Sequence, residues 1–145
     1  MLVPYITLAT ASVLGILFVV LSAAVSSERG RSKIGLGTGA ETTSALGKEH
    51  EAPRLLIAVR RHAHFAEYVP LSLILLMLLE FAGADRRVLL GLAAALIICR
   101  LMITAGLGRA APNILRAGGS AIQYLMIFAA GIYGLAVFAQ AQGWI

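Results

Sequence analysis

The sequence predicts an all-α membrane protein, an antiparallel four-helix transmembrane bundle. Three observations carry that prediction. The 145-residue chain is 59% hydrophobic and 13% charged, whereas a soluble domain has about half apolar and about a quarter charged residues. Four apolar segments recur along it, and a membrane-crossing helix needs about 20 such residues. The Lys and Arg residues gather mainly in the connections between those segments.

The first segment, PYITLATASVLGILFVVLSAAV, carries no charge. It lacks the basic leader of a secretory signal, and its apolar run exceeds a signal core of about 7 to 15 residues. It therefore reads as a retained span over residues 4–26. The second span, 53–82, opens on Pro53, a residue suited to the first helical position. Its first turns are charged, and LSLILLMLL follows them. Pro70 inside it removes the hydrogen bond to the Ala66 carbonyl and predicts a bend. The turn GADRR is short, so the second and third spans should be antiparallel neighbours. The third span, 86–108, is interrupted after its first turn only by Arg100. Pro112 and Asn113 break the next connection, and the fourth span covers 116–142. Gly118, Gly119, Ala130, Gly131 and Gly134 recur in it and allow close helix contact in lipid.

The whole chain, 1–145, thus forms one four-span domain with a long loop over 27–52. GLGTG in that loop resembles a phosphate loop superficially, but no strand precedes it and no GK[ST] follows. The net charge of +5 has no soluble basic domain to carry it. It points to membrane orientation and to membrane lipids as surroundings, with no nucleic acid partner. Arg29, Arg31, Lys33 and Lys48 in the first connection, with Arg109 and Arg116 in the third, place those connections in the cytoplasm and both termini outside. Tyr5 and Trp144 would stand in the outer aromatic belt. Glu80 and Asp85 read as interfacial charges at that outer end. Cys99 is the single cysteine, so no internal disulfide forms, and it reads as a small buried residue.

RRHAHFAEYVP, residues 60–70, concentrates ionisable groups at the mouth of the second span. A helix turns about 100° per residue, so Arg60, His64 and Glu67 share one face. Arg61 falls on a different side, and His62 stands about 200° from His64. Charged groups near bilayer depth face the protein interior or a wet cavity. A Glu67–Arg100 or Glu67–Arg60 ion pair is therefore expected, offsetting the desolvation of both partners. His64 and Glu67 lack two further ligands on a matching face, so no metal site is expected. Arg116 stands at the start of the fourth span, where the helix dipole also favours anions. Such a cluster suits a carboxylate-bearing thiol, whose thiolate it would stabilise. The bilayer would supply a lipophilic partner.

These residues resemble a family. RRHAHFAEYVPL, with Arg60, His62, Glu67, Tyr68 and Pro70, is similar to the second-helix signature of the MAPEG family, the membrane-associated proteins in eicosanoid and glutathione metabolism. CRLMITAGL around Arg100 resembles the family's third-helix R-L-x-H segment. RSKIGLGTG resembles a glycine-rich stretch of the bacterial, YecN-like branch. The resemblance spans nearly the whole chain. It implies a homotrimer of four-helix bundles in a bacterial inner membrane, with glutathione bound between subunits near the cytoplasmic face. It implies Arg116, with Arg109 second, as the arginine that activates the thiol. Arg60, His64, Glu67 and Arg100 fall at positions of the polar network or glutathione cleft. The chain departs from the pattern at His64, where the family has Asn, at Ala63, Ile103 and Leu107, and at Ser120, with Tyr124 one turn beyond. The resemblance implies a glutathione-dependent transferase or peroxidase acting on a lipophilic small molecule. The departures motivate the alternative, a non-catalytic scaffold or ligand-binding trimer.

Overall fold

The computed structural model describes residues 3–37, 53–109 and 113–144. Four helices follow one another: α1 (Tyr5–Ser32), α2 (Pro53–Phe81), α3 (Arg86–Gly106) and α4 (Ile114–Ala141). All four are long and apolar enough to cross a membrane, and no strand occurs among the described residues. Most of the loop expected over 27–52, including Lys48, lies outside the described residues, as does Pro112.

α1 continues past the apolar segment to Ser32. Its last turn carries Arg29 and Arg31, cations that the negative end of a helix favours. Arg29 then donates to the carbonyls of Gly35 and Gly37, each at 3.1 Å, which folds the following chain back over the helix end. α2 runs unbroken through Pro70. α4 begins at Ile114, earlier than expected, because Asn113 caps it. The Asn113 side chain accepts from the Leu115 amide at 3.0 Å and donates to the Gly106 carbonyl at 2.9 Å. One side chain thereby ties the end of α3 to the start of α4.

α3 is the central helix. Leu89, Leu92, Ala93, Leu96, Cys99, Arg100, Ile103 and Gly106 are all buried, at the three- and four-residue spacing that lines up one helix face. α3 packs chiefly on α4, and α1 on α2; among the described residues the backbones of α1 and α4 do not approach each other closely. The shared core is built from residues such as Leu14, Phe65, Leu76, Leu96 and Met126. Glycine sets the α3–α4 distance. A Cβ on Gly106 would stand 2.6 Å from the Arg116 amide nitrogen, and one on Gly119 would meet Ile103 Cγ1 at 2.8 Å. Gly131 shows no such approach, with nothing within 4 Å of the same position.

Side-chain contacts fix the up-and-down order. Near the end of α2, Glu80 accepts from the amides of Ile6 and Thr7 and from the Thr7 hydroxyl, each at 2.8 Å. Pro4 precedes α1 and supplies no side-chain cap, so the carboxylate of another helix satisfies those orphan donors. Asp85 caps α3 through the Arg87 and Val88 amides. Its own amide donates to the Tyr133 hydroxyl at 3.0 Å, joining α3 to α4. Glu80 and Asp85, expected as interfacial charges, are thus helix caps. At the opposite end Arg61 donates through Nε and Nη2 to the Leu107 carbonyl just past α3. This is again a cation at a helix C-terminus.

Candidate functional site

At the Arg61 end, α2, α3 and α4 enclose a cavity of about 540 Å³. α2 contributes Arg60, His64, Glu67 and Tyr68 to its wall, and α4 contributes Arg116, Ser120 and Tyr124. Each set repeats at about one helical turn, so two helices present parallel rows of polar groups to one space. Arg60, Glu67 and Arg116 are exposed on the single chain, and His64 is half-buried. Arg109 is exposed just past α3 and lies outside this lining.

Arg100 sits behind the cavity wall, 1% exposed. A buried cation must be hydrogen-bonded to persist. Arg100 Nη1 meets His64 Nδ1 and the His64 carbonyl, each at 3.2 Å. Nη2 donates to Gln123 Oε1. Gln123 Nε2 donates to Ser72 Oγ at 3.0 Å, and Ser72 Oγ donates to the Tyr68 carbonyl at 2.9 Å. The Cys99 thiol also points to Gln123 Oε1 at 3.1 Å. Arg100 Nε is buried without a partner. The guanidinium carbon lies 5.8 Å from the centroid of the Tyr68 ring, within cation–π reach. His64 stacks on the same ring at 4.8 Å. One polar chain therefore ties α2, α3 and α4 together at the back of the cavity.

The expected ion pairs of Glu67 do not form. Among the described residues the ion pair within 4.0 Å is Arg31–Glu28. Arg60 and Glu67 share a face but stand two turns apart, about 10.5 Å along the axis; for Arg100 the reason is angular. On α2, Arg60 and Glu67 differ by about 20° and His64 stands about 60° from Glu67. His64 is turned toward α3 and takes Arg100, while Glu67 stays at the open side. The two other charged-cluster residues also have separate tasks. Arg61 holds α3, and His62 packs on Phe18 of α1 at 4.7 Å between ring centroids.

Sequence reasoning missed Gln123 and Ser72, both fully buried. It also did not foresee Tyr68 and Tyr124 as neighbours, with ring centroids 6.1 Å apart. The available signal was an amide inside an otherwise apolar span: a polar side chain at membrane depth calls for a partner.

Four helices long and apolar enough to span, with the family match below, define an integral, multi-pass membrane protein. The MAPEG family model matches residues 7–136. The chain belongs to the MAPEG family, whose members are generally trimeric and use glutathione. No curated protein and no solved structure matches it.

Proposed function

We propose that this protein is a glutathione-dependent transferase or peroxidase acting on lipophilic electrophiles. The observation that carries the reading is the meeting of Arg60, His64, Glu67 and Arg116 on one cavity, with Arg100 behind it. Arg60 and Arg116 would hold the carboxylates and the thiolate of the tripeptide, and Glu67 its ammonium group. Arg116 lies in the first turn of α4, where the helix dipole adds to its own charge. A thiol facing such a group ionises more readily and attacks as the thiolate. On an alkylating electrophile the attack forms the sulfur–carbon bond of the conjugate and expels the leaving group or opens a strained ring; on a hydroperoxide the sulfur takes the terminal oxygen as the O–O bond breaks, releasing the alcohol and leaving a sulfenic acid that a second glutathione converts to the disulfide and water. Arg109 stands as the second arginine for that role, on the flank of the site.

A homotrimer accounts for the exposure of Glu67 and Arg60. A lone chain would present both to lipid, at considerable cost; a neighbouring subunit would cover them and close the cavity. The basic end, with Arg29, Arg31, Arg54 and Arg109, would face the cytoplasm of a bacterial inner membrane. RSKIGLGTG supports a place in the bacterial, YecN-like branch. Calorimetric titration of reduced glutathione into purified protein tests the reading. Saturable binding that Arg116→Ala weakens supports it; an intact oligomer that binds none at millimolar concentration refutes it.

A second reading has its own observation. Ile103 and Leu107 line the cavity where the family pattern has a histidine and a tyrosine. A trimer that binds a ligand without turnover would keep the bundle and show binding with no conjugation of any electrophile tried.

A further inference from the structure

A second polar cavity, of about 280 Å³, opens at the Arg61 end between α1, α2 and the chain just past α3. Ala24 and Glu28 of α1, Arg54 and Arg61 of α2, and Gly108 line it. Arg54 and Arg61 stand about 100° to 120° round α2 from Arg60, so they turn away from the cavity of Arg116. Gly108 closes the space with bare backbone: a Cβ there would meet Ile57 Cγ2 at 3.0 Å and Arg61 Nη2 at 3.2 Å. The lining carries both signs of charge. Arg61 spends Nε and Nη2 on the Leu107 carbonyl, and its Nη1 has no hydrogen bond among the described residues. Arg54 is exposed. Glu28 accepts from the exposed Arg31 through Oε1 at 2.8 Å, while Oε2 has no hydrogen bond among the described residues. A simple anion would meet Glu28 and a simple cation the arginines; a zwitterion satisfies both. The depth is that of a membrane surface, because Glu28 is the first charged residue of α1. Val20, Ile16 and Val13 precede Ala24 by four, eight and eleven residues. They continue its side of α1 into the bilayer, and all three are exposed.

We infer that this second cavity binds the headgroup of a phosphoethanolamine lipid. The phosphate lies on Arg54 and Arg61, the primary ammonium lies on Glu28, and an acyl chain follows Val20, Ile16 and Val13. Guanidinium groups suit phosphate oxygens, to which they present paired N–H donors. An ammonium brings three donors to a carboxylate; a trimethylated choline headgroup brings none. A glycerol headgroup would set no cation against Glu28. The volume falls just below the range of drug-sized sites, about 300 to 1,000 Å³, as a small headgroup requires. The cavity is separate from the proposed glutathione site, so the lipid would bind whether or not glutathione does.

Native mass spectrometry of the detergent-purified full chain tests this, with equal amounts of phosphatidylethanolamine, phosphatidylcholine and phosphatidylglycerol carrying the same acyl chains. The ethanolamine lipid should bind about fivefold tighter than the choline lipid, or about 1 kcal/mol, the upper end for a partly exposed ion pair. Glu28→Gln should abolish that preference and favour the glycerol lipid. Ala24→Trp, which fills the cavity from an exposed position and leaves every charge in place, should abolish it too if the first variant fails to fold. Equal binding of the ethanolamine and choline lipids by the wild type overturns the inference, as does a preference that persists in the folded variants. Tighter binding of the glycerol lipid by the wild type reduces the cavity to a basic patch and also overturns it. Displacement of the lipid by millimolar free phosphoethanolamine would assign the site to a soluble ligand and remove the lipid.

Discussion

At the Glu80 end of the bundle every charged group with a described contact closes something. Glu80 turns both carboxylate oxygens onto the first turn of α1, and Asp85 caps α3 while its amide reaches Tyr133. At the Arg61 end the same residue types leave a space. Arg60, Glu67 and Arg116 stand exposed around the cavity, and the buried Arg100 is held by neutral partners. Both ends face the same physical problem, polar groups at or below the membrane surface. Carboxylates on orphan amides solve it within the chain at one end. At the other, exposed charges leave part of the solution to whatever enters or covers the cavity.

Variants can break or sharpen that contrast. The largest effect is expected from Gln123→Leu, which strips the buried Arg100 of an acceptor and leaves Ser72 unpaired from α4. A hydrogen bond to a charged group is worth up to about 3 kcal/mol, so the oligomer should unfold or dissociate at markedly lower temperature. Gly106→Ala should cost about 2 kcal/mol, as overpacking does, because its Cβ meets the Arg116 backbone. It should also disturb ligand binding, since Arg116 must move. A thermal melt with a parallel glutathione titration reads both. Arg116→Ala should lower conjugation at least tenfold, about 1.4 kcal/mol in the barrier, while the melting temperature stays near that of the wild type; unchanged turnover in a folded variant removes Arg116 from the mechanism. Glu80→Gln should cost about 1 kcal/mol, the worth of a helix cap, and leave conjugation alone. A loss of activity there would show that the two ends are coupled.

The four spans were legible because hydrocarbon content and length settle them without knowledge of partners. The row Arg60–His64–Glu67 was legible because helical spacing alone puts it on one face. Which member of that row meets α3 was not. It depends on a rotation of a few tens of degrees, and it gave Arg100 to His64 in place of Glu67. Gln123 was passed over because an uncharged amide hardly marks a span of this hydropathy. Yet it joins α3 to α2 through Arg100 and Ser72. Glu80 was read as a surface charge because the need it meets, the uncapped amides after Pro4, lies 73 and 74 positions away in the chain.

The bond between Arg100 and His64 carries a consequence for proton traffic. A guanidinium only donates, so His64 Nδ1 must be the acceptor, and the proton of the neutral ring resides on Nε2. That imidazole has no lone pair left to take a proton from a thiol. A thiol in this cavity would have to give up its proton to water, drawn only by the field of the arginines. The rate of conjugation should then rise with pH along the ligand's own ionisation, with no histidine limb in the profile.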